Sequence, residues 1–211
     1  GGTEKEKDID DFDLGPYAYN QLIVWSPDDN QIIGGYRFIK CKEAEKKSDG
    51  TYLLATSELF HFSQKFISEY FPNTIELGRS FVQPYYQPSV NRSKGIFSLD
   101  NLWDGLGALI IDNPDIKYFF GKVTMYTSYN TIARDIILFF LNKYFPDNEN
   151  LVYPIKPLTL KTPLKDLEQI FTSNNYKEDY KILLRTVRDL FEHIPPLINS
   201  YMNLSETMKT F

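Results

Sequence analysis

The sequence has little cysteine and histidine and no long apolar run. Cys41 is the single cysteine among 211 residues, so no disulfide can form within the chain and the redox compartment stays open. His61 and His193 are far apart, and neither has a candidate metal ligand nearby, which is typical of structural histidines. Residues 136–141 form an apolar run far shorter than the roughly 20 residues that a membrane-spanning helix needs. The sequence therefore predicts no internal disulfide, no membrane-spanning helix and no metal site.

Basic residues are also too few to give the chain a nucleic-acid-binding character. The 23 Lys and Arg face 28 Asp and Glu, which leaves a formal net charge of −5. Proteins that bind nucleic acid carry a basic footprint, so no nucleic-acid partner is predicted. The polar beginning of the chain has no secretion signal, so the sequence predicts a soluble cytoplasmic protein. Peripheral contact with the inner membrane is the alternative.

Hydrophobic patterning predicts an α/β fold. Strand patterning covers residues 19–26, 31–41, 75–83 and 116–126, and helical patterning covers residues 57–71, 98–114, 128–145, 163–171, 177–194 and 195–211. Strands alternate with helices between residues 75 and 145, which favours a parallel or mixed sheet with crossover connections. We predict a core of residues 1–145, with residues 146–211 as a crossing segment and helical appendage packed on the same domain.

The third predicted strand carries an unusual group of residues, Glu76, Gly78 and Arg79. Side chains alternate between the faces of a regular strand, so Glu76 and Arg79 would point in opposite directions. Gly78 favours a bulge, which would re-aim one side chain and release backbone N–H groups from the ladder. Such N–H groups can hold an oxyanion, with Glu76 as a base and Arg79 holding a carboxylate. Structural ion pairs with neighbours explain the same residues about equally well.

Three further groups of charged residues are candidates for binding. Arg92, Lys94 and Gly95 lead into the helix that begins near Ser98, an arrangement that suits phosphate, although a plain surface loop is the simpler interpretation. Acidic residues before the first strand suit an ammonium group, but a mobile acidic leader is common. A basic stripe on the helix at 177–194 suits an acidic carrier protein or an anionic membrane, and a solvated face is the simplest alternative. Its members are Lys181, Arg185 and Arg188.

These motifs together resemble the GNAT superfamily. The matching segments are ELGRSFVQPYYQ, LDNLWDGLGALI, YFFGKVTM and HIPPLINSYMNL. Within the superfamily they look like the N-acyltransferases that make lyso-ornithine lipid and related N-acyl amino acids, a group often labelled as haemolysins. A more distant likeness is to acyl-homoserine-lactone synthases, whose acidic pair, strand arginine and Glu-x-x-Arg pattern correspond here to Asp10 and Asp13, to Arg37, and to Glu76 with Arg79.

The resemblance implies a GNAT-like mixed central sheet flanked by helices, with a helical C-terminal appendage. It implies no permanently bound cofactor, and a donor that is the phosphopantetheine thioester of acyl carrier protein or a coenzyme A thioester. The site residues that it implies are Glu76 and Arg79 for catalysis, Asp10, Asp13 and Arg37 for the acceptor, and Phe81, Val82, Gln83, Arg92, Lys94, Gly95 and Asn130 for the donor. Phe97 departs from the usual phosphate loop, and Ile137 stands where many members carry a tyrosine acid.

The predicted function is therefore lipid biosynthesis by N-acyl transfer. A long acyl chain, with or without a 3-hydroxyl group, would pass from carrier protein or coenzyme A to the α-amine of an amino acid. Two alternatives remain open at this point, a non-catalytic lipid- or membrane-binding protein and a short-chain acetyltransferase.

Overall fold

The structure is a computed structural model that describes residues 9–87 and 98–211. Its strands are β1 (Asn20–Ser26), β2 (Gln31–Lys40), β3 (Phe60–Phe62), β4 (Thr74–Val82), β5 (Tyr118–Gly121) and β6 (Val152–Pro154). Its helices are α1 (Ser98–Asp112), α2 (Thr131–Tyr144), α3 (Leu164–Ile170), α4 (Tyr176–Asp189) and α5 (Pro196–Leu204).

The chain divides into two compact units, which are described separately. The first contains residues up to 58 together with 64–122, and the second contains residues 59–63 and 123–211. The division at residues 145 and 146 that the sequence suggests stays a prediction. Within the described residues, no helix is both long enough and apolar enough to cross a membrane.

A mixed four-stranded sheet forms the first unit, in the order β1-β2-β4-β5. β1, β2 and β4 pair antiparallel, whereas β5 runs parallel to β4. α1 packs against β1 and β2. Ile75 and Leu77 of β4 are buried in this core, as expected for a strand paired on both sides. The predicted α/β class with a mixed sheet is confirmed.

A bulge interrupts β4 immediately after Gly78. Gly35 faces Phe81 and Arg37 faces Gly78, so β4 has one more residue than β2 between these pairs. Arg79 takes up the distortion with a φ of 46°, in the left-handed region that non-glycine residues rarely adopt. The predicted bulge is therefore confirmed, and it changes the direction of the Arg79 side chain.

Two glycines let β2 lie close to both neighbouring strands. A Cβ atom on Gly34 would lie 2.5 Å from the carbonyl oxygen of Phe81, and one on Gly35 would lie 2.7 Å from that of Leu22. Both neighbours are backbone atoms, which cannot move aside as a flexible side chain would. Glycine at these positions is thus required for β1, β2 and β4 to meet at the bulge.

Several predicted element boundaries are wrong. The helix predicted at 57–71 is instead β3 followed by a π-helical segment, Phe66–Tyr70, because the backbone of β3 pairs with β6 from the segment predicted to be irregular. The strand predicted at 116–126 ends at Gly121, where its pairing with Leu77 ends. The helix predicted at 195–211 ends at Leu204, after which Ser205 is extended.

Aromatic and aliphatic side chains of α2, α3, α4 and α5 form the core of the second unit. Phe140 at the centre has no exposed surface and contacts the rings of Tyr144, Phe171, Tyr176 and Tyr180. Part of the aromatic content of the chain is thus used for packing in this core.

Asp135 connects α2 to the crossing segment within this unit. Its buried carboxylate accepts hydrogen bonds from the backbone N–H groups of Lys161 (2.7 Å) and Thr162 (2.8 Å) and from the guanidinium of Arg134 (2.6 Å). Burial acts to raise the pKa of Asp135, but these hydrogen bonds outweigh it and hold the pKa below its usual value. The charged form is therefore the one that stabilises the fold.

We expect Asp135→Asn to lower the free energy of unfolding by about 3 kcal/mol at neutral pH, because two backbone donors lose a charged acceptor. A lowered pKa stabilises the fold above the unfolded-state pKa, about 3.9, and this contribution is lost as the pH falls through the folded-state pKa. The difference between variant and wild type should thus shrink in acid. Urea denaturation from neutral pH down through the folded-state pKa of Asp135 measures this difference, with Asp166→Asn at an exposed position as control. A stability difference that does not change with pH would contradict the role given to the charged form of Asp135.

Candidate active site

An acidic turn before β1 holds two carboxylates side by side. Asp10 caps the 3-10 turn Asp11–Asp13, its Oδ1 accepting a hydrogen bond from the N–H of Phe12 at 3.0 Å. The carboxylate of Asp13 in return accepts one from the N–H of Asp10 at 3.0 Å. An acidic residue at the cap and another three positions later form this reciprocal capping box. The local sequence therefore fixes both side chains before any contact with the sheet.

Two arginines of the sheet meet these carboxylates. Arg37 of β2 donates to Asp10 at 2.7 Å and to Asp13 at 3.1 Å. Arg79, at the bulge of β4, donates to Asp10 at 2.8 Å and lies 3.6 Å from Asp13. Each carboxylate is thus shared by two guanidinium groups. We call Asp10, Asp13, Arg37 and Arg79 the charged cluster.

The surroundings keep Arg37 and Asp13 ionised. Arg37 is only 5% exposed, and its guanidinium carbon lies 4.9 Å from the ring centre of Tyr19 and 5.6 Å from that of Phe12. Burial acts against the charge of Arg37, but the hydrogen bonds that it donates to Asp10 and Asp13 raise its pKa. Burial likewise opposes the charge of Asp13, yet hydrogen bonds from the Asp10 N–H and Arg37 lower its pKa. Two positive and two negative charges therefore balance.

Glu76 lies apart from this cluster and is enclosed by its own donors. It is 1% exposed, and its carboxylate accepts hydrogen bonds from the hydroxyls of Tyr19 and Thr56 and from the N–H groups of Ala55 and Thr56. Burial raises the pKa of Glu76, although the hydrogen bonds from Thr56 and Tyr19 act in the opposite direction. Glu76 and Arg79 are thus held by different partners. The predicted role of Glu76 as a base stays a prediction.

A cavity of about 450 Å³ opens beside the charged cluster. Its lining residues are Ile9, Asp13, Leu14, Gln21, Arg79 and Phe81. The Gln21 amide lies 3.4 Å from Asp13, and Phe81 is 41% exposed. One wall thus presents a carboxylate, a guanidinium and an amide, and the remainder is apolar. A cavity with a few convergent polar groups on an apolar lining is the usual form of a small-molecule site.

Backbone groups at the end of β4 are the candidates for holding an oxyanion. The N–H of Gln83 donates to the carbonyl of Ile33 at 2.8 Å, so it is already engaged. N–H groups alternate in direction along a strand, which means that the N–H of Val82 points away from β2. On that side the described pairing of β4 with β5 ends at Leu77. Phe81, Val82 and Gln83 are the three residues predicted here to bind the acyl donor. Of these, Val82 has a backbone N–H oriented to hold an oxyanion, while Phe81 lines the cavity.

The other predicted site residues lie elsewhere. Asn130 belongs to the second unit, where its side chain caps α2 by accepting hydrogen bonds from the N–H groups of Ile132 and Ala133. Arg92, Lys94 and Gly95 lie outside the described residues. The basic residues of α4 are exposed on the second unit. The donor-binding and carrier-binding roles of these residues stay predictions.

Sequence reasoning missed three polar residues around the site. Tyr19 and Thr56 hold the carboxylate of Glu76, and Gln21 lines the cavity. The alternation in the strand predicted at 19–26 could have placed Tyr19 and Gln21 on one face, but nothing in the sequence indicates that the loop carrying Thr56 returns to β4. Cys41 is buried, and burial raises the pKa of its thiol. The described part of the chain contains no group of three or more His, Cys, Asp or Glu suited to a metal ion.

The chain is similar in sequence to known proteins. Residues 1–93 match the family model of an acetyltransferase (GNAT) domain. Over all 211 residues the chain is 52% identical to a glycine N(alpha)-acyltransferase of Phocaeicola vulgatus and 53% identical to a glycine N(alpha)-acyltransferase of Bacteroides thetaiotaomicron. The chain spans 65% and 63% of the length of these two relatives, just under two thirds. No solved structure matches it significantly.

Proposed function

We propose that the protein, whose residues 1–93 match the GNAT domain model, is an N-acyltransferase whose acceptor is the α-amine of glycine. The acceptor is suggested by the names of the two relatives, which share about half of its residues. The resemblance of its motifs to lipid-forming N-acyltransferases suggests a long, 3-hydroxylated acyl chain. The product would be an N-acyl amino acid with the character of a lyso-lipid.

The cavity beside the charged cluster is the observation that carries this proposal. An amino acid is a zwitterion, and Asp13 and Arg79 present opposite charges to the same space. The ammonium group of glycine fits against the carboxylate of Asp13, and its carboxylate fits the guanidinium of Arg79. The apolar part of the lining, including Phe81 and Leu14, suits the acyl end of the donor.

The proposed reaction is direct attack without a covalent enzyme intermediate. The glycine nitrogen attacks the thioester carbon, a C–N bond forms and the C–S bond breaks. The bound ammonium group first loses one proton to solvent and becomes the attacking amine. As the amide forms, the nitrogen loses a second proton and the departing thiolate gains one, so one proton is released overall. The N–H of Val82 would hold the oxygen that gains charge. The carboxylate of Glu76 is enclosed by other donors, so in this proposal it holds Tyr19 instead of taking the proton of the amine.

Mass spectrometry of the full-length protein with defined donors tests the proposed function. The protein is mixed with 3-hydroxypalmitoyl carrier protein or 3-hydroxypalmitoyl coenzyme A and an equimolar pool of amino acids. We expect N-acylglycine as the main product, with the carrier-protein donor preferred. Acylation of another amino acid would overturn the glycine assignment. No product from a folded protein with either donor, or with acetyl coenzyme A, would overturn the transferase and favour the lipid-binding alternative.

We propose further that a basic stripe on α4 binds the acidic carrier protein. The stripe consists of the predicted Lys181, Arg185 and Arg188, with Lys177 one turn earlier. All four are exposed, and none forms an ion pair within the described chain. Phe191, 96% exposed directly after α4, adds an apolar contact at the end of the stripe. A row of positive charges with one aromatic group is complementary to an acidic protein surface.

Reversing two charges in this stripe tests whether it binds the carrier protein, because coenzyme A as the donor would not need the stripe. With Lys181→Glu and Arg185→Glu combined, we expect KM for the carrier-protein thioester to rise about tenfold, because two attractive charges become repulsive. KM for the coenzyme A thioester should stay the same. Lys165→Glu on the exposed side of α3 is the matched control. Equal KM values for the carrier-protein thioester in all three proteins would overturn the docking proposal, and binding to anionic vesicles alone would favour a membrane surface instead.

A further inference from the structure

Tyr19 connects the buried Glu76 to the charged cluster. Its hydroxyl donates to the Glu76 carboxylate and accepts a hydrogen bond from the N–H of Ala55 at 2.9 Å. Its ring lies against the guanidinium of Arg37, 4.9 Å from the guanidinium carbon. Both ends of the side chain are thus engaged, and Tyr19 itself is only 5% exposed.

Arg37 connects Tyr19 to the carboxylates beside the cavity. Its guanidinium binds both Asp10 and Asp13, and Asp13 lines the cavity with Arg79. Phe12 covers the guanidinium from another direction, its ring centre 5.6 Å from the carbon, and its ring meets that of Tyr19 edge to face. The position of the Asp13 carboxylate therefore depends on that of Arg37, which the ring of Tyr19 supports.

We propose that Tyr19 is a positioning residue for the amino-acid acceptor, held by Glu76 and acting through Arg37 on the carboxylates of Asp10 and Asp13. This inference rests on the proposed function, because it concerns the cavity assigned to glycine. Glu76 then has a stated role although it does not line that cavity. Displacing a substrate-binding group by about 1 Å can slow a reaction about 100-fold, so a residue two contacts away can affect turnover.

A second buried tyrosine, Tyr36, provides a matched comparison. Tyr36 is 2% exposed and lies next to Arg37 on β2, but its hydroxyl has no hydrogen-bond partner among the described residues. Removing that hydroxyl leaves no group unsatisfied. Tyr19→Phe and Tyr36→Phe thus delete the same atom from two buried rings, one with two hydrogen bonds and one with none.

Steady-state kinetics of the full-length protein tests the inference. For Tyr19→Phe we expect kcat/KM for glycine to fall about tenfold, mainly through KM, with KM for the acyl donor changed by less than about twofold. Tyr36→Phe should behave like the wild type. Thr56→Val removes another donor to Glu76 and should shift the glycine KM in the same direction by a smaller factor, which keeps the test available if Tyr19→Phe does not fold.

NMR of the Arg37 side chain gives a readout that does not depend on activity. The Nε–H of Arg37 has no hydrogen-bond partner in the described chain. Because this group is buried, its hydrogen should exchange slowly with water. We expect its signal to shift and exchange faster in Tyr19→Phe but not in Tyr36→Phe. A wild type without transferase activity would overturn the proposed function, whereas an unchanged Arg37 signal would overturn the positioning role. A parallel loss of glycine and donor kinetics would also overturn it, in favour of general destabilisation.

Discussion

Arg79→Gln should lower kcat/KM for glycine by about 10- to 100-fold, the range expected when a hydrogen-bonded charge pair of about 1.5–3 kcal/mol is lost. The guanidinium of Arg79 lies on the cavity wall and is the group proposed to hold the carboxylate of glycine. Glutamine keeps part of the side-chain length and a polar end, but it removes the charge and the paired N–H geometry. The effect should therefore appear mainly in the affinity for the acceptor.

A comparison of glycine with glycinamide, which has the amine but no carboxylate, tests whether Arg79 binds the carboxylate. The wild type should prefer glycine to glycinamide, and Arg79→Gln should lose most of that preference. Lys42→Gln, which breaks the ion pair with Asp115 on the surface of the same unit, is the control and should leave the preference intact. If Arg79→Gln slows both acceptors equally, Arg79 supports the bulge and does not bind the carboxylate.

Glu76→Ala is expected to unfold the first unit or to lower its free energy of unfolding by at least about 4 kcal/mol. The variant leaves the hydroxyls of Tyr19 and Thr56 and the backbone N–H of Thr56 without their acceptor in a buried site, and the N–H of Ala55 keeps only the Tyr19 hydroxyl. Folded domains have only about 5–15 kcal/mol in total, so the loss is a large fraction of stability. Urea denaturation measures this loss, with Glu69→Ala, at an exposed position of the π-helical segment, as control.

Glu76→Gln separates the charge of this residue from its hydrogen bonds. Burial raises the pKa of Glu76 in the folded state. Between the unfolded-state pKa, about 4.3, and that raised value, the unfolded state loses its proton first, so wild-type stability falls as the pH rises. Glu76→Gln lacks this titration and should become relatively more stable over the same range. A stability difference that does not change with pH would show that Glu76 titrates normally.

These effects determine how a loss of activity can be interpreted. An inactive Glu76→Ala protein would be expected from unfolding alone, so it cannot identify a catalytic base. Only the pair of Glu76→Gln and Tyr19→Phe, each checked for folding, separates proton transfer from positioning. Tyr19→Phe keeps the carboxylate while breaking its link to Arg37, whereas Glu76→Gln keeps the size of the side chain and removes the charge.

Much of the fold and part of the site could be predicted because they depend on local patterns. Hydrophobic patterning predicted the hairpin of β1 and β2, and Gly78 indicated the bulge that changes the direction of the Arg79 side chain. The resemblance to the GNAT superfamily agrees with the family model that residues 1–93 match, and the predicted mixed sheet is confirmed. The resemblance also named Asp10, Asp13 and Arg37, which the structure brings together with Arg79.

The rest could not be predicted because it depends on contacts between distant segments. Glu76 meets Thr56, 20 residues earlier, and Tyr19, 57 residues earlier, and no periodic pattern encodes either contact. The helix predicted at residues 57–71 is wrong for the same reason, a contact with a distant segment. Leu59, Phe62, Phe66 and Tyr70 have helical spacing, but pairing of β3 with β6 determines the local backbone.

The balance of charges in the cluster also determines how the protein should respond to ionic strength. Two guanidinium groups and two carboxylates sum to zero, and glycine brings no net charge to them. Salt screens interactions between bodies of net charge over about 10 Å at 0.1 M, so binding of glycine should depend little on it. The basic stripe of α4 is an unbalanced charge, and its association with an acidic protein should weaken as salt is added. Ionic strength would then act on the delivery of the acyl group while leaving the recognition of the amino acid unchanged.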